Sequence, residues 1–134
     1  MIQRIFDNFL FVLKKSIQFD GRADRSEYWW FFAAAAAISA VFYVVDAAIG
    51  IPFFGTVFLL AMLIPSLSVT IRRLHDSDRS GWWLLICLVP ILGVFAVLAM
   101  MVVPGSVQAN RFGQQSKSPV SGMVSNLSQS TASQ

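Results

Sequence analysis

A chain of 134 residues that is 56% hydrophobic and 13% charged has the size of one domain, and it is too apolar for an ordinary soluble one, in which about a quarter of residues are charged. A mean hydropathy of +0.65 excludes a disordered chain, and a single cysteine, Cys87, excludes a disulfide framework or an all-cysteine metal site. The net charge of +3 is small, so its placement is more informative than its size.

Residues 1–19 predict an amphipathic helix lying in the plane of a membrane interface. On a helical wheel Ile2, Ile5, Phe6, Phe9, Leu10, Val12, Leu13, Ile17 and Phe19 share one half. Gln3, Arg4, Asp7, Asn8, Lys14, Lys15 and Gln18 share the other, with Phe11 alone out of place. Charges interrupt the apolar residues and no small-residue cleavage site follows, so this is not a signal peptide. The competing reading is the same helix docked on a soluble partner.

Three apolar runs follow, at 28–49, 53–71 and 82–103, each of about 19 to 22 residues. At ~1.5 Å per residue each reaches roughly 30 Å, the thickness of a bilayer's hydrocarbon core. The expectation is an all-α membrane protein: the interfacial helix plus three transmembrane helices in a domain over 20–113. Gly50 and Pro52 suit a tight turn between the first two spans. Pro65 and Pro90 fall inside the second and third and predict kinks, with Ser66, Ser68 and Thr70 near enough to re-satisfy freed carbonyls. Ala33, Ala36, Ala37 and Ala40 are spaced for close helix contact, within one chain or between chains. Residues 114–134 are rich in Ser and Gln and read as a disordered tail.

Of the ten Lys and Arg, Arg4, Lys14, Lys15, Arg22, Arg25, Arg72, Arg73 and Arg79 flank one side of such a bundle; only Arg111 and Lys117 fall beyond the third span. The positive-inside rule then places the N-terminus and the 72–81 loop in the cytoplasm, with the C-terminus outside. Trp29, Trp30, Trp82 and Trp83 fall at the same boundary, where indoles anchor.

Two polar stretches meet that boundary. Asp20 to Trp30 enters the first span and Arg72 to Trp83 joins the second to the third; both place Asp-Arg-Ser before a Trp pair. Asp24 and Glu27 have capping-box spacing, and Asp78 or Ser80 is placed to cap the third span. Arg22, Arg25, Arg72, Arg73 and Arg79 face Asp20, Asp24, Glu27, Asp76 and Asp78 in equal number, which predicts a salt-bridge cluster joining the stretches.

The series Phe19-x-Gly21-Arg22-x-x-Arg25-x-Glu27-Tyr28-Trp29, Pro65-Ser66-Leu67-x-Val69-Thr70, Arg72-Arg73-Leu74-His75-Asp76, Arg79-Ser80-Gly81-Trp82-Trp83, Pro104-Gly105 and Asn110-Arg111-Phe112-Gly113 resembles the small bacterial inner-membrane family labelled domain of unknown function 805. The resemblance covers roughly residues 5–113 and implies an integral plasma-membrane protein with no assigned reaction.

The candidate functional cluster is therefore Arg22, Arg25, Glu27, Arg72, Arg73, His75, Asp76, Asp78 and Arg79. His75 beside Asp76 has the composition of an acid–base pair, but no second His or nearby Cys completes a metal set and no nucleophile motif stands near. No cofactor, metal or nucleic-acid partner is expected. Asp46, the lone ionisable residue inside a span, is a candidate for ion or proton coupling, or simply reaches the far interface. Three functions stay open: a non-enzymatic module binding a partner protein or anionic lipid headgroups through its basic face, with homo-oligomerisation undecided; a subunit of a small oligomeric transporter or channel using Asp46; and an inner-leaflet enzyme using His75 and Asp76.

Overall fold

The computed structural model describes residues 1–132, and it is all-α: α1 (Ile2–Lys14), α2 (Arg25–Ile49), α3 (Phe54–Asp76), a 3-10 helix (Gly81–Leu88), α4 (Leu92–Val102) and α5 (Ser121–Ala132). Residues 133–134 of the expected tail lie outside the described residues.

The helix α2 starts where Asp24, in extended geometry, accepts the Glu27 N–H at 2.6 Å. It ends at Gly50, whose φ of +80° supplies the left-handed cap. Twenty-five residues make it ~37 Å long, and α3, with 23, is ~34 Å. Both are long and apolar enough to cross a bilayer, and only 11% and 22% of their most apolar windows are buried inside the chain. Val41, Tyr43, Val44, Leu60, Leu63 and Ile64 are all exposed, which a water-soluble monomer does not sustain along its central helices. The two are antiparallel across Gly50–Phe53, and this turn is stapled by Asp46. Its carboxylate accepts the otherwise orphaned N–H groups of Phe54 and Gly55 at 2.9 and 2.8 Å, so it caps α3 from the end of α2. Near Pro65, Thr70 donates to the Ser66 carbonyl at 2.6 Å, while Ser68 turns away to the Lys15 and Gln18 carbonyls at 2.9 and 2.7 Å and ties down the end of the N-terminal segment.

The third apolar run departs from expectation. It is not one helix over 82–103 but two short arms folded against each other. The 3-10 helix rises ~2.0 Å per residue over 8 residues and α4 ~1.5 Å over 11, so each arm is about 16 Å long, half the thickness of the hydrocarbon core. The cause is Pro90. It has no N–H to continue the ladder and holds Val89 extended (φ −85°, ψ 105°), so the helix stops rather than kinks. The reversal follows at once: Leu92 donates to the Pro90 carbonyl at 2.8 Å around Ile91, which takes φ +67°, ψ −66°, a strained γ-turn for a β-branched residue. The arms close so tightly at Gly93 that a Cβ there would lie 1.9 Å from the Ile86 carbonyl oxygen.

Consequently the chain after α4 returns to the end from which the 3-10 helix left. Ser106 donates from both its backbone N–H and its hydroxyl to the Asp76 carbonyl, at 2.9 and 3.1 Å. Beyond it, Ser118 and Val120 are buried and α5 follows.

The helix α1 crosses α2 near its beginning. Asn8, Phe9 and Val12 are its buried residues, and Phe9 stacks on Phe31 with ring centroids 5.4 Å apart. Ile2, Phe6 and Leu10 stay exposed beside Arg4, Asp7 and Lys14, so an apolar stripe and a charged stripe are both left free.

A buried arginine cluster as the candidate functional site

The three arginines that the chain buries, Arg22, Arg72 and Arg73, gather where α2 begins and α3 finishes. Each is satisfied differently. Arg22 approaches the Asp76 Oδ1 through Nε and Nη2 at 2.9 and 2.8 Å, gives Nη1 to the Gln108 carbonyl at 2.8 Å, and also donates from Nη2 to the Ser106 carbonyl. Arg73 gives Nη1 to Asp76 Oδ2 at 2.7 Å; its Nε and Nη2 take the Met101 carbonyl at 3.2 and 3.0 Å, and Nη2 also takes that of Val103. Those are carbonyls at the end of α4, which a helix leaves without partners. One carboxylate thus holds two guanidiniums, and these two hold the returning main chain. Gly105 makes the approach feasible: a Cβ there would sit 1.8 Å from Asp76 Oδ2.

Arg72 belongs to a second unit. Its Nη1 meets Glu27 Oε1 at 2.6 Å, with the two side chains 1% and 0% exposed. This ion pair joins the two polar stretches directly. Around it Asn8 donates to the Glu27 carbonyl at 3.1 Å and Ser116 donates to Glu27 Oε2 at 2.7 Å. Arg72 Nε and Nη2 and Asn8 Oδ1 are buried without hydrogen-bond partners among the described residues, so this corner is the less fully satisfied half. Alongside, Ser118 donates to Asp24 Oδ2 at 3.2 Å; burial still pushes the Asp24 carboxyl above its ordinary range, against the lowering effect of its bonds from Glu27 and Ser118.

His75 and Asp76 do not form an acid–base pair. Both Asp76 oxygens are committed to arginines, and His75 Nδ1 donates to the Gly21 carbonyl at 3.0 Å while its ring stacks on Phe112 at 3.9 Å and 2°. The carbonyl of His75 accepts from Asn110 at 2.9 Å, within the turn that Asn110 and Gly113 close. Asp46, capping α3, lies at the far end. Among the described residues no three His, Cys, Asp or Glu side chains converge to hold a metal ion. Of the remaining cluster candidates, Arg25 is exposed and reaches the Val102 carbonyl at 3.4 Å, Asp78 pairs with Arg111 at 3.2 Å with side chains 50% and 63% exposed, and Arg79 is half-buried. Trp29, Trp82 and Trp83 are exposed at the same end and Trp30 is half-buried there.

This arrangement carries a sequence pattern of its own. Residues 16–114 match the model of a family described as a protein of unknown function, DUF805. The chain belongs to the DUF805 family. It is 40% identical over 111 residues to the inner membrane protein YhaI of Escherichia coli strain K12, an alignment spanning 81% of this chain and 94% of that protein. It is 35% identical over 117 residues to the inner membrane protein YhaH of the same strain, spanning 83% and 97%. No solved structure matches. This DUF805 chain is accordingly an inner-membrane protein with at least two helices able to cross. Arg22, Glu27, Arg72, Arg73, Asp76, Gly105 and Asn110 all lie within the matched region; Asn8, Ser116 and Ser118 lie outside it.

Wheel reasoning missed Asn8, because a polar residue on an amphipathic helix is counted as facing water. It missed Ser68, Ser106 and the tail serines because a hydroxyl bonds to whatever carbonyl is near and leaves no spacing signature. Gly105 and Asn110 did stand in the family pattern, without an indication of what they touch.

Proposed function

We propose that this chain is a non-enzymatic module of the inner leaflet that crosses the membrane twice, dips in a third time as a re-entrant hairpin, and attracts anionic lipid headgroups with a cytoplasmic basic face. The observation that carries this is the division of labour among the cations. Arg22, Arg72 and Arg73 are buried and balanced by Glu27, Asp76 and their carbonyls, so they are unavailable to headgroups. Arg4, Lys14, Arg25, Arg111 and Lys117 are exposed, and Lys15 and Arg79 half-buried, on elements gathered at that same end. The opposite turn carries neither Lys nor Arg, so with a re-entrant third segment all ten cations share one face, a stronger asymmetry than three crossings allow. The exposed apolar stripe of α1 sinks into the acyl boundary of that leaflet while its charged stripe reaches the headgroups. Each exposed cation near an anionic surface adds about 1 kcal/mol of attraction.

The test is enrichment of lipid around the protein in nanodiscs made from a phosphatidylglycerol and phosphatidylethanolamine mixture. Replacing Lys14, Lys15, Arg25 and Lys117 together by Gln removes roughly 4 kcal/mol of surface attraction and sharply lowers phosphatidylglycerol enrichment at low salt. Enrichment that is undiminished in this variant, with the fold intact, refutes the reading.

A further inference from the structure

We propose that one inner-leaflet phospholipid is held stoichiometrically in the groove between α3 and the 3-10 helix, its acyl chain along α3 and its phosphate beside Arg79 and Ser80. This is distinct from the diffuse attraction above: it is a single site with walls, and it is separable from the basic face by mutation.

Two cavities, of about 430 and 450 Å³, lie end to end along α3. They share Leu67 and Leu84, one from each wall, so they form one continuous groove. The shallow end is bounded by His75, Ser80 and Trp82, the deep end by Leu63 and Ile64. From His75 to Leu63 is about twelve residues of helix, or ~18 Å, close to the ~15 Å depth of one leaflet's hydrocarbon. The far wall is the 3-10 helix, about 16 Å long, so it ends where a single leaflet ends. A continuous crossing helix would have packed along the whole of α3; the reversal at Pro90 leaves a slot one leaflet deep.

The chemistry changes along the slot as it does along a phospholipid. Its deep part is lined by Leu and Ile, with the Thr70 hydroxyl turned back onto the Ser66 carbonyl. Ser80 lines the shallow end, and Arg79, its half-buried neighbour in sequence outside the lining itself, has an Nη1 that is buried with no hydrogen-bond partner among the described residues. A buried guanidinium nitrogen without an acceptor calls for an oxygen anion. The nearby Asp78 is already paired with Arg111. A phosphate diester at headgroup level supplies the acceptor oxygens, and Trp82, exposed at the mouth, lies at the depth where indoles meet headgroups.

The experiment uses the full chain in nanodiscs and a phosphatidylglycerol bearing a diazirine midway along one acyl chain, with labelled residues mapped by peptide mass spectrometry. Labels concentrated on residues 63–71 and 84–85, halved by one equivalent of unlabelled phosphatidylglycerol per probe and lost in large excess, support the site. Labels equally dense on the exposed 41–45 stretch of α2 overturn it. Leu67→Trp fills the slot and removes the focused labelling while phosphatidylglycerol enrichment stays; the four-Gln variant does the opposite, so failure of one proposal is distinguishable from failure of the other. Arg79→Gln weakens retention by about tenfold, as expected when a charge-assisted hydrogen bond to phosphate is lost. Unchanged retention in Arg79→Gln, or equal competition by a free fatty acid, overturns the phosphate assignment. Labelling of the unaltered protein needs no variant to fold, so the central claim stands or falls on that map.

Discussion

Replacing Glu27 by Leu leaves Arg72 with a charge and no carboxylate in a position that is 1% exposed. Breaking a buried pair in this way costs about 3–5 kcal/mol, since the remaining ion keeps its desolvation penalty. Ser116 loses its acceptor as well, about 1 kcal/mol, whereas Asn8 bonds the Glu27 main-chain carbonyl and keeps its partner. Arg72→Met alone strands Glu27 similarly. The double variant, Glu27→Leu with Arg72→Met, removes both ions and leaves an apolar contact of comparable volume. Since Arg72 Nε and Nη2 are already unpartnered, their deletion forfeits little, and the double variant recovers to within about 1–2 kcal/mol of the parent. The coupling energy is then several kcal/mol. Thermal unfolding in detergent reads it: at roughly 3–5 °C per kcal/mol for a chain of this size, each single variant melts more than about 10 °C below the parent and the double melts near it. Additivity of the two single losses, within about 0.5 kcal/mol, refutes direct pairing across the helices.

Further outcomes follow from the same geometry. Gly105→Ala drives a methyl into the Asp76 carboxylate and unseats both Arg22 and Arg73, a loss of about 3 kcal/mol or more, visible as a lowered melting temperature with α2 and α3 helicity retained. Arg73→Lys keeps the charge but not the fork, so it holds Asp76 and releases the Met101 and Val103 carbonyls; amide exchange rises in α4 while α2 stays protected. Burial raises the folded-state pKa of Asp24 above its ordinary 3.8, so the native state binds the extra proton and stability falls as pH rises from near 4 through the raised value; Asp24→Asn, which still caps α2, flattens that decline in a stability–pH series. Cysteines placed at residues 3 and 115 in a Cys87→Ser background label from the same side of sealed vesicles, and opposite-side labelling contradicts the return of the chain after α4.

Much of the helical frame was legible in advance. The length and apolarity of α2 and α3, the Asp24 cap and the Gly50 stop are local properties, and the equal numbers of acids and arginines in two stretches at one boundary predicted contact between them. What could not be read was the path of 82–103. An uncharged run of this length has the composition of a crossing helix whether it continues or reverses, and Pro90 is compatible with a kink or a stop. The arrangement of Arg111 and Lys117 held a clue, because three crossings put these two alone on the far side while a reversal puts every cation together. Asp46 was open between ion coupling and a place at the far interface, and its actual use was not legible: its carboxylate accepts from two amide groups that arrive from the next helix and have no sequence signature.

The buried arginines and the reversed hairpin explain each other. A helix end that is packed away from water presents carbonyls without partners, and donors must come from the chain itself. In this chain α4 ends at Val102, and the carbonyls of Met101 and Val103 are taken by Arg73, while those of Ser106 and Gln108 are taken by Arg22. Lysine offers a point charge; guanidinium offers five donors in a fixed plane, enough to hold a carboxylate and several carbonyls at once. Asp76 neutralises both arginines and sets their planes, and Gly105 lets the returning strand pass close beside it. Surface-exposed, these pairs would contribute little to stability. Placed beside the chain that returns after α4, they satisfy main-chain groups that would otherwise oppose the fold, which makes Arg72-Arg73-Leu74-His75-Asp76 a structural device for closing the hairpin formed by the 3-10 helix and α4.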